Sequence, residues 1–211
     1  MFGQGQSQIL DPIHWITVFS KGNSWGWDVK FLLSKLIFLI GLGLVLCQIT
    51  KNRIVVFALV LSSAFIGFNY FRFNHPAFFN LTYAPWVYFF YLQLVRNLQS
   101  GRRDGEVVFR QWLDWPSVGI VTSSALVFFS GTPKEVFVLL CALHFSGLLG
   151  VLAIRRTLGE MLVNVVLLGT LWLLFALVTT PHWLIFLDTL GKASSIYSEP
   201  QCYFSESPLK F

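Results

Sequence analysis

Apolar residues along this chain come in long runs, separated by short clusters of charge, glycine and proline. About 20 predominantly apolar residues are enough to cross a bilayer as a helix, and about six segments reach or approach that length. The first, residues 31–50, is closed by Lys51-Asn52-Arg53. The second, 54–71, ends at Arg72 and the turn-prone Asn74-His75-Pro76. The third, 83–98, is short and aromatic, with Pro85 in its first turn, where a missing N–H costs little. Residues 116–130 form the fourth and weakest run, and Gly131-Thr132-Pro133 turns the chain into the fifth, 136–154. The sixth, 161–178, precedes Pro181.

This pattern predicts an all-α, polytopic membrane helical bundle with about six transmembrane helices. It divides the chain into an interfacial N-terminal segment (1–30), a transmembrane helical domain (31–190) and an irregular polar and aromatic tail (191–211). Arg155-Arg156 should mark a turn between two helices, because each flank alone is long enough to span.

Composition supports the same solvent. Hydrophobic residues make up 55% of the chain and charged ones only 12%, against about 25% charged in a soluble domain. A polar surface cannot be built from so few charges, whereas a lipid-facing one needs none. The net charge of +5 does not indicate a nucleic-acid partner, because most basic residues sit between apolar runs, where they meet lipid headgroups. The expected partners are the lipid bilayer and other membrane subunits or copies of the chain itself. Lys51, Arg53, Arg96, Arg102, Arg103, Arg110, Arg155 and Arg156 fall in alternate loops, which places them inside and both termini on the non-cytoplasmic side. Cys47, Cys141 and Cys202 show neither CxxC nor metal-ligand spacing.

Polar groups at membrane depth are the natural functional candidates. His144 lies near the middle of the fifth run, beside Ser146 and Gly147. It can carry a proton or bind a ligand. The simpler account is an imidazole bonded to a neighbouring helix, with Gly147 and Gly150 allowing close approach. Arg155, Arg156 and Glu160 form the densest charged cluster near the membrane; Glu160 can pair with Arg156 one helical turn away, and Asn164 continues that face inward. No HExxH, GxSxG or Walker loop occurs in the sequence, so no reaction class stands out and the cofactor is left open.

Three functions remain: a structural or accessory subunit of a membrane complex; a small transporter or channel with a polar path around His144, Asn164 and Glu160; or a membrane-embedded enzyme or cofactor-binding protein. The first is preferred, because short aromatic runs call for protein neighbours.

Overall fold

The computed structural model describes residues 8–65, 77–104, 114–154 and 157–198. Among these the chain is all-α, with no strand. Two short 3-10 turns, Gln8–Leu10 and Pro12–His14, lead into α1 (Trp15–Phe19). The long helices follow: α2 (Ser24–Ile49), α3 (Arg53–Ser63), the single turn α4 (Ala77–Asn80), α5 (Ala84–Asp104), α6 (Trp115–Ser130), α7 (Pro133–Leu152) and α8 (Leu158–Ser198).

Among the described residues each of the six apolar runs contains a helix, and the breaks fall where local chemistry stops one. Asn52 accepts from the N–H groups of Ile54 and Val55 and so caps α3. Thr132 donates its hydroxyl to Glu135 at the start of α7, beside Pro133 in the first turn. Thr157 and Glu160 close a reciprocal capping box on α8, each backbone N–H meeting the other's side-chain oxygen at 3.4 Å. Residues 136–178 are therefore two helices that pack on each other, α7 and α8, rather than one.

Two boundaries differ from expectation. The first helix begins at Ser24, so the last residues of the supposed interfacial segment are its opening turns. The last helix runs through Pro181 to Ser198, into the supposed irregular tail. In the turn before Pro181, Thr179 and Thr180 donate their hydroxyls to the carbonyls of Phe175 and Ala176, the kind of local satisfaction that makes proline tolerable in apolar helices.

The bundle is organised around α5 and α6. α5 packs against α2, α6 and α7, while α6 touches α5, α7, α8 and the N-terminal turns. The aromatic residues of α5 explain its docking. Trp86 covers Gly41 of α2, Phe90 covers Gly119 of α6 and Tyr91 covers Gly147 of α7. A Cβ at any of these glycines would come within 2.7 Å of the ring it faces, so the missing side chains let three helices close on one. Trp86 also donates its indole N–H to the Ile37 carbonyl at 3.0 Å.

Polarity runs inside out. Lys30, Ser124, Asn164 and Thr179 are fully buried, whereas Ile54 is 80% exposed, Phe57 68% and Val166 67%. Three helical stretches are long and apolar enough to cross a membrane: Ser24–Ile49, Glu135–Leu152 and Leu158–Ile185. Arg53–Ser63 and Trp115–Ser130 are apolar but shorter. Against the expected six or so spans, length with composition qualifies three helices among the described residues.

Candidate functional site

His144 sits midway along α7, on the side facing α5 and α8. Its position follows from Gly147 one turn later, which admits the Tyr91 ring so closely that the phenol oxygen reaches Nδ1 of His144 at 2.7 Å. Trp172 of α8 donates its indole N–H to the same phenol oxygen at 2.9 Å. Tyr91 lies on the buried stripe of α5 with Val87, Leu94 and Leu98, so its hydroxyl is held by a packed helix face. Three rings enclose the imidazole: Tyr91 edge-on, and Trp172 and Phe175 at centroid distances of 5.7 and 5.8 Å.

Donor and acceptor roles along this chain are fixed by elimination. Indole N–H is only a donor, so the Tyr91 oxygen accepts from Trp172. The phenol proton then has His144 Nδ1 as its acceptor, since turning it elsewhere would leave a buried O–H unpaired. A neutral His144 with Nδ1 accepting carries its own proton on Nε2. That nitrogen has no hydrogen-bond partner among the described residues.

His144 also lines a groove of about 830 Å³ between α7 and α8. Phe137 and Phe145 form one wall and Trp172, Phe175 and Trp183 the other, with Ala142 and Ala176 leaving space between them. The groove is open to the surface on one side and almost wholly apolar. Its volume falls within the range of small-molecule sites, roughly 300–1,000 Å³. Comparison with protein families, curated proteins and solved structures finds no match for this chain.

The other candidates from the sequence are not brought to this groove. Ser146 donates to the Leu143 carbonyl at 2.8 Å within its own helix. Glu160 belongs to the capping box of α8. Asn164 is fully buried, but it precedes Trp172 by two helical turns, about 12 Å along the axis. Arg155 and Arg156 lie outside the described residues. Among the described residues no three His, Cys, Asp or Glu side chains group as a metal site.

A second polar cluster, not anticipated from the sequence, ties the N-terminal segment to α2. Lys30 is fully buried, donates to Gln8 Oε1 and, at 3.0 Å, to His14 Nδ1, and lies 4.0 Å from the centroid of the Phe79 ring. Neutral acceptors and a π face thus hold a cation at the end of the segment expected to be interfacial. Asp11, also buried, accepts from the Ile13 N–H at 3.2 Å and the Tyr83 hydroxyl at 3.0 Å. Burial pushes the Asp11 carboxyl above the usual carboxylate range. Burial, and then the Lys30 charge, bring the His14 imidazole down to about 4. One signal was available: small Gly26 and Ser34 stand one turn to either side of Lys30 on the same helix face, where close packing can cover it.

Proposed function

We propose that this chain is a multi-pass integral membrane protein that binds a lipid-soluble small molecule in the groove between α7 and α8, with the His144 ring as part of its lining. The carrying observation is a mostly apolar groove of ligand size, walled by Phe137, Phe145, Trp172, Phe175 and Trp183. The groove opens to the surface beside the exposed Phe137 and Phe145, so entry from the hydrocarbon phase needs no aqueous path. Six crossings with both termini on the non-cytoplasmic side belong to the same proposal, supported by the basic loops after the first, third and fifth runs.

The test is extraction. Wild-type protein purified from its membrane in gentle detergent should release a lipid-soluble compound in stoichiometric amount, and Ala176→Trp, which fills the groove, should lack it. Identical organic extracts from the two proteins would overturn the proposal.

A second reading, a subunit of a larger assembly, is favoured by α3. This helix packs on α2 and exposes Ile54, Phe57 and Leu61, and its 11 residues extend only about 16 Å. A membrane helix of that kind gains from protein neighbours. Co-migration of other chains with the protein in gentle detergent is the expected result, and a bare monodisperse monomer would count against it.

A further inference from the structure

The N-terminal segment folds back on α2 to make a short helical hairpin. α1 ends in a pair of nested backbone bonds: the Lys21 N–H donates to the Val18 carbonyl at 3.0 Å, and the Gly22 N–H to that of Thr17 at 2.9 Å. Lys21 and Gly22 have φ of 53° and 75°, so a lysine holds the left-handed position that a helix end usually gives to glycine. The returning chain meets Ser20 at Gly26, where a Cβ would collide with the Ser20 hydroxyl. One turn further on, Lys30 donates to His14 at 3.0 Å. α1 therefore lies beside the stretch of α2 from Gly26 to Lys30, with Lys21 at the tip of the hairpin.

The two faces of this segment differ. Ile13, Thr17 and Ser20 are buried, whereas Trp15, Val18 and Phe19 are exposed, Phe19 to 78%. Trp25 and Val29 of α2 are exposed at the same level, and Leu32, Leu36 and Ile40 continue the exposed apolar surface along that helix. Depth follows from length. α2 has 26 residues and extends about 39 Å, whereas the hydrocarbon core of a bilayer is about 30 Å thick. Its other end is held at the headgroups by Lys51 and Arg53. Counted back from Ile49, about 20 residues use up the hydrocarbon thickness and reach Lys30. The excess is the part of α2 that carries the hairpin.

We infer that the α1–α2 hairpin is an interfacial anchor: Trp15, Phe19 and Trp25 enter the glycerol and carbonyl layer of the bilayer, and Lys21 reaches the phosphates. The partner is the phospholipid interface itself, which suits an indole through its apolar body and polar edge. Lys21 and Asp28 are both exposed at this end and cancel in charge, so the aromatic face sets the depth and no anionic lipid is required. This inference rests on the reading of the chain as membrane-spanning and adds the surface that fixes its register in the bilayer.

The experiment uses the full chain, with Cys47, Cys141 and Cys202 changed to alanine, in phosphatidylcholine nanodiscs. A nitroxide is attached through Phe19→Cys, Lys21→Cys or Ile40→Cys, all exposed positions where a label leaves the packing intact. Collisions with oxygen, which concentrates in hydrocarbon, and with a water-soluble nickel chelate report the depth of each label. The oxygen-to-nickel ratio at position 19 should stand several-fold above that at 21 and several-fold below that at 40. Adding phosphatidylglycerol should leave it unchanged. A ratio at 19 equal to that at 21 overturns the inference, because the aromatic face then lies in water. Equality with position 40 overturns it as well, because the hairpin is then immersed. Deepening of position 19 only with phosphatidylglycerol reassigns the anchor to charge and overturns the aromatic account. Trp15→Ser combined with Trp25→Ser should move position 19 toward the value at 21 while position 40 stays in hydrocarbon, and no movement overturns the part given to the tryptophans. Nickel collisions as frequent at 40 as at 21 would overturn the membrane-spanning reading itself.

Discussion

Tyr91 is the residue on which the most geometry depends. Its ring fills the space above Gly147, and its hydroxyl accepts from Trp172 and donates to His144. Removing only that oxygen, in Tyr91→Phe, leaves an indole N–H and an imidazole nitrogen unpaired in a buried setting. We expect a loss of about 1–3 kcal/mol in stability, read as a lowered midpoint of thermal unfolding in detergent. Glycines give a paired control. A Cβ on Gly147 would stand 2.5 Å from the Tyr91 ring, so Gly147→Ala should cost roughly 1–3 kcal/mol as overpacking and weaken the Tyr91–His144 bond with it. Gly169, in the interior of α8, has nothing within 4 Å of its virtual Cβ. There alanine should be neutral or stabilising by up to about 1 kcal/mol. If both variants unfold at the same temperature, close approach at Gly147 is not what positions the site.

At the scale of elements, the N-terminal turns dock on α2 and α5 through buried polar contacts, and that docking is pH-dependent. His14 accepts from Lys30 only when Nδ1 is unprotonated. Its folded value near 4 lies below the free-imidazole value of 6.5, so the undocked segment takes up the proton first. The docked state is then fully favoured above about pH 6.5 and is weakened as pH falls toward 4. For a half-buried ring the effect is on the order of 1–2 kcal/mol. Asp11, raised by burial, works in the opposite sense: its protonation relieves a buried charge as pH falls. Amide hydrogen exchange over residues 8–22 should therefore accelerate between pH 6.5 and 4.5, once corrected for intrinsic rates. In His14→Gln, which keeps an acceptor for Lys30 without titrating, the acceleration should vanish; its persistence would place the pH sensitivity elsewhere. The helices themselves were legible because an apolar run of spanning length, broken by Asn52, Pro133 or Thr157, has few other solutions. The opening turns of α2 were not, because Trp25, Asp28 and Lys30 read as an interface when taken singly, and their helical phase matters only once Gln8 and His14 fold back on it. The end of α8 was missed because Gly191, Ser194 and Ser195, poor helix formers, read as the start of an irregular tail, whereas the helix continues to Ser198.

For the whole molecule, the distribution of polarity decides the solvent, and the same distribution limits what a sequence reveals of the site. His144 stood out as an imidazole in an apolar run, but its hydrogen-bond partner Tyr91 is 53 residues distant, and the Trp172 that donates to Tyr91 lies 81 residues from Tyr91. Tyr91 and Trp172 sit in aromatic-rich stretches where nothing local distinguishes a relay from a lipid contact. Only the packing of α5 on Gly147 and of α8 on α7 brings them together. The outer surface is the more general test of the fold. Leu173 lies near the middle of the apolar part of α8 and is 60% exposed. On a soluble protein, arginine there would change stability by no more than about 0.5 kcal/mol. In a bilayer the same substitution raises the insertion free energy by about 2.5–3.5 kcal/mol at the helix centre. Leu173→Arg should accordingly reduce the inserted fraction of α8 in a microsomal glycosylation assay, while Thr157→Ser, at the polar start of that helix, leaves it unchanged. The wild-type chain should in turn stay with membranes after alkaline carbonate washing. If it instead appeared in the carbonate supernatant and Leu173→Arg inserted normally, the exposed leucines and valines would be facing something other than lipid. The groove at His144 would then be filled by protein.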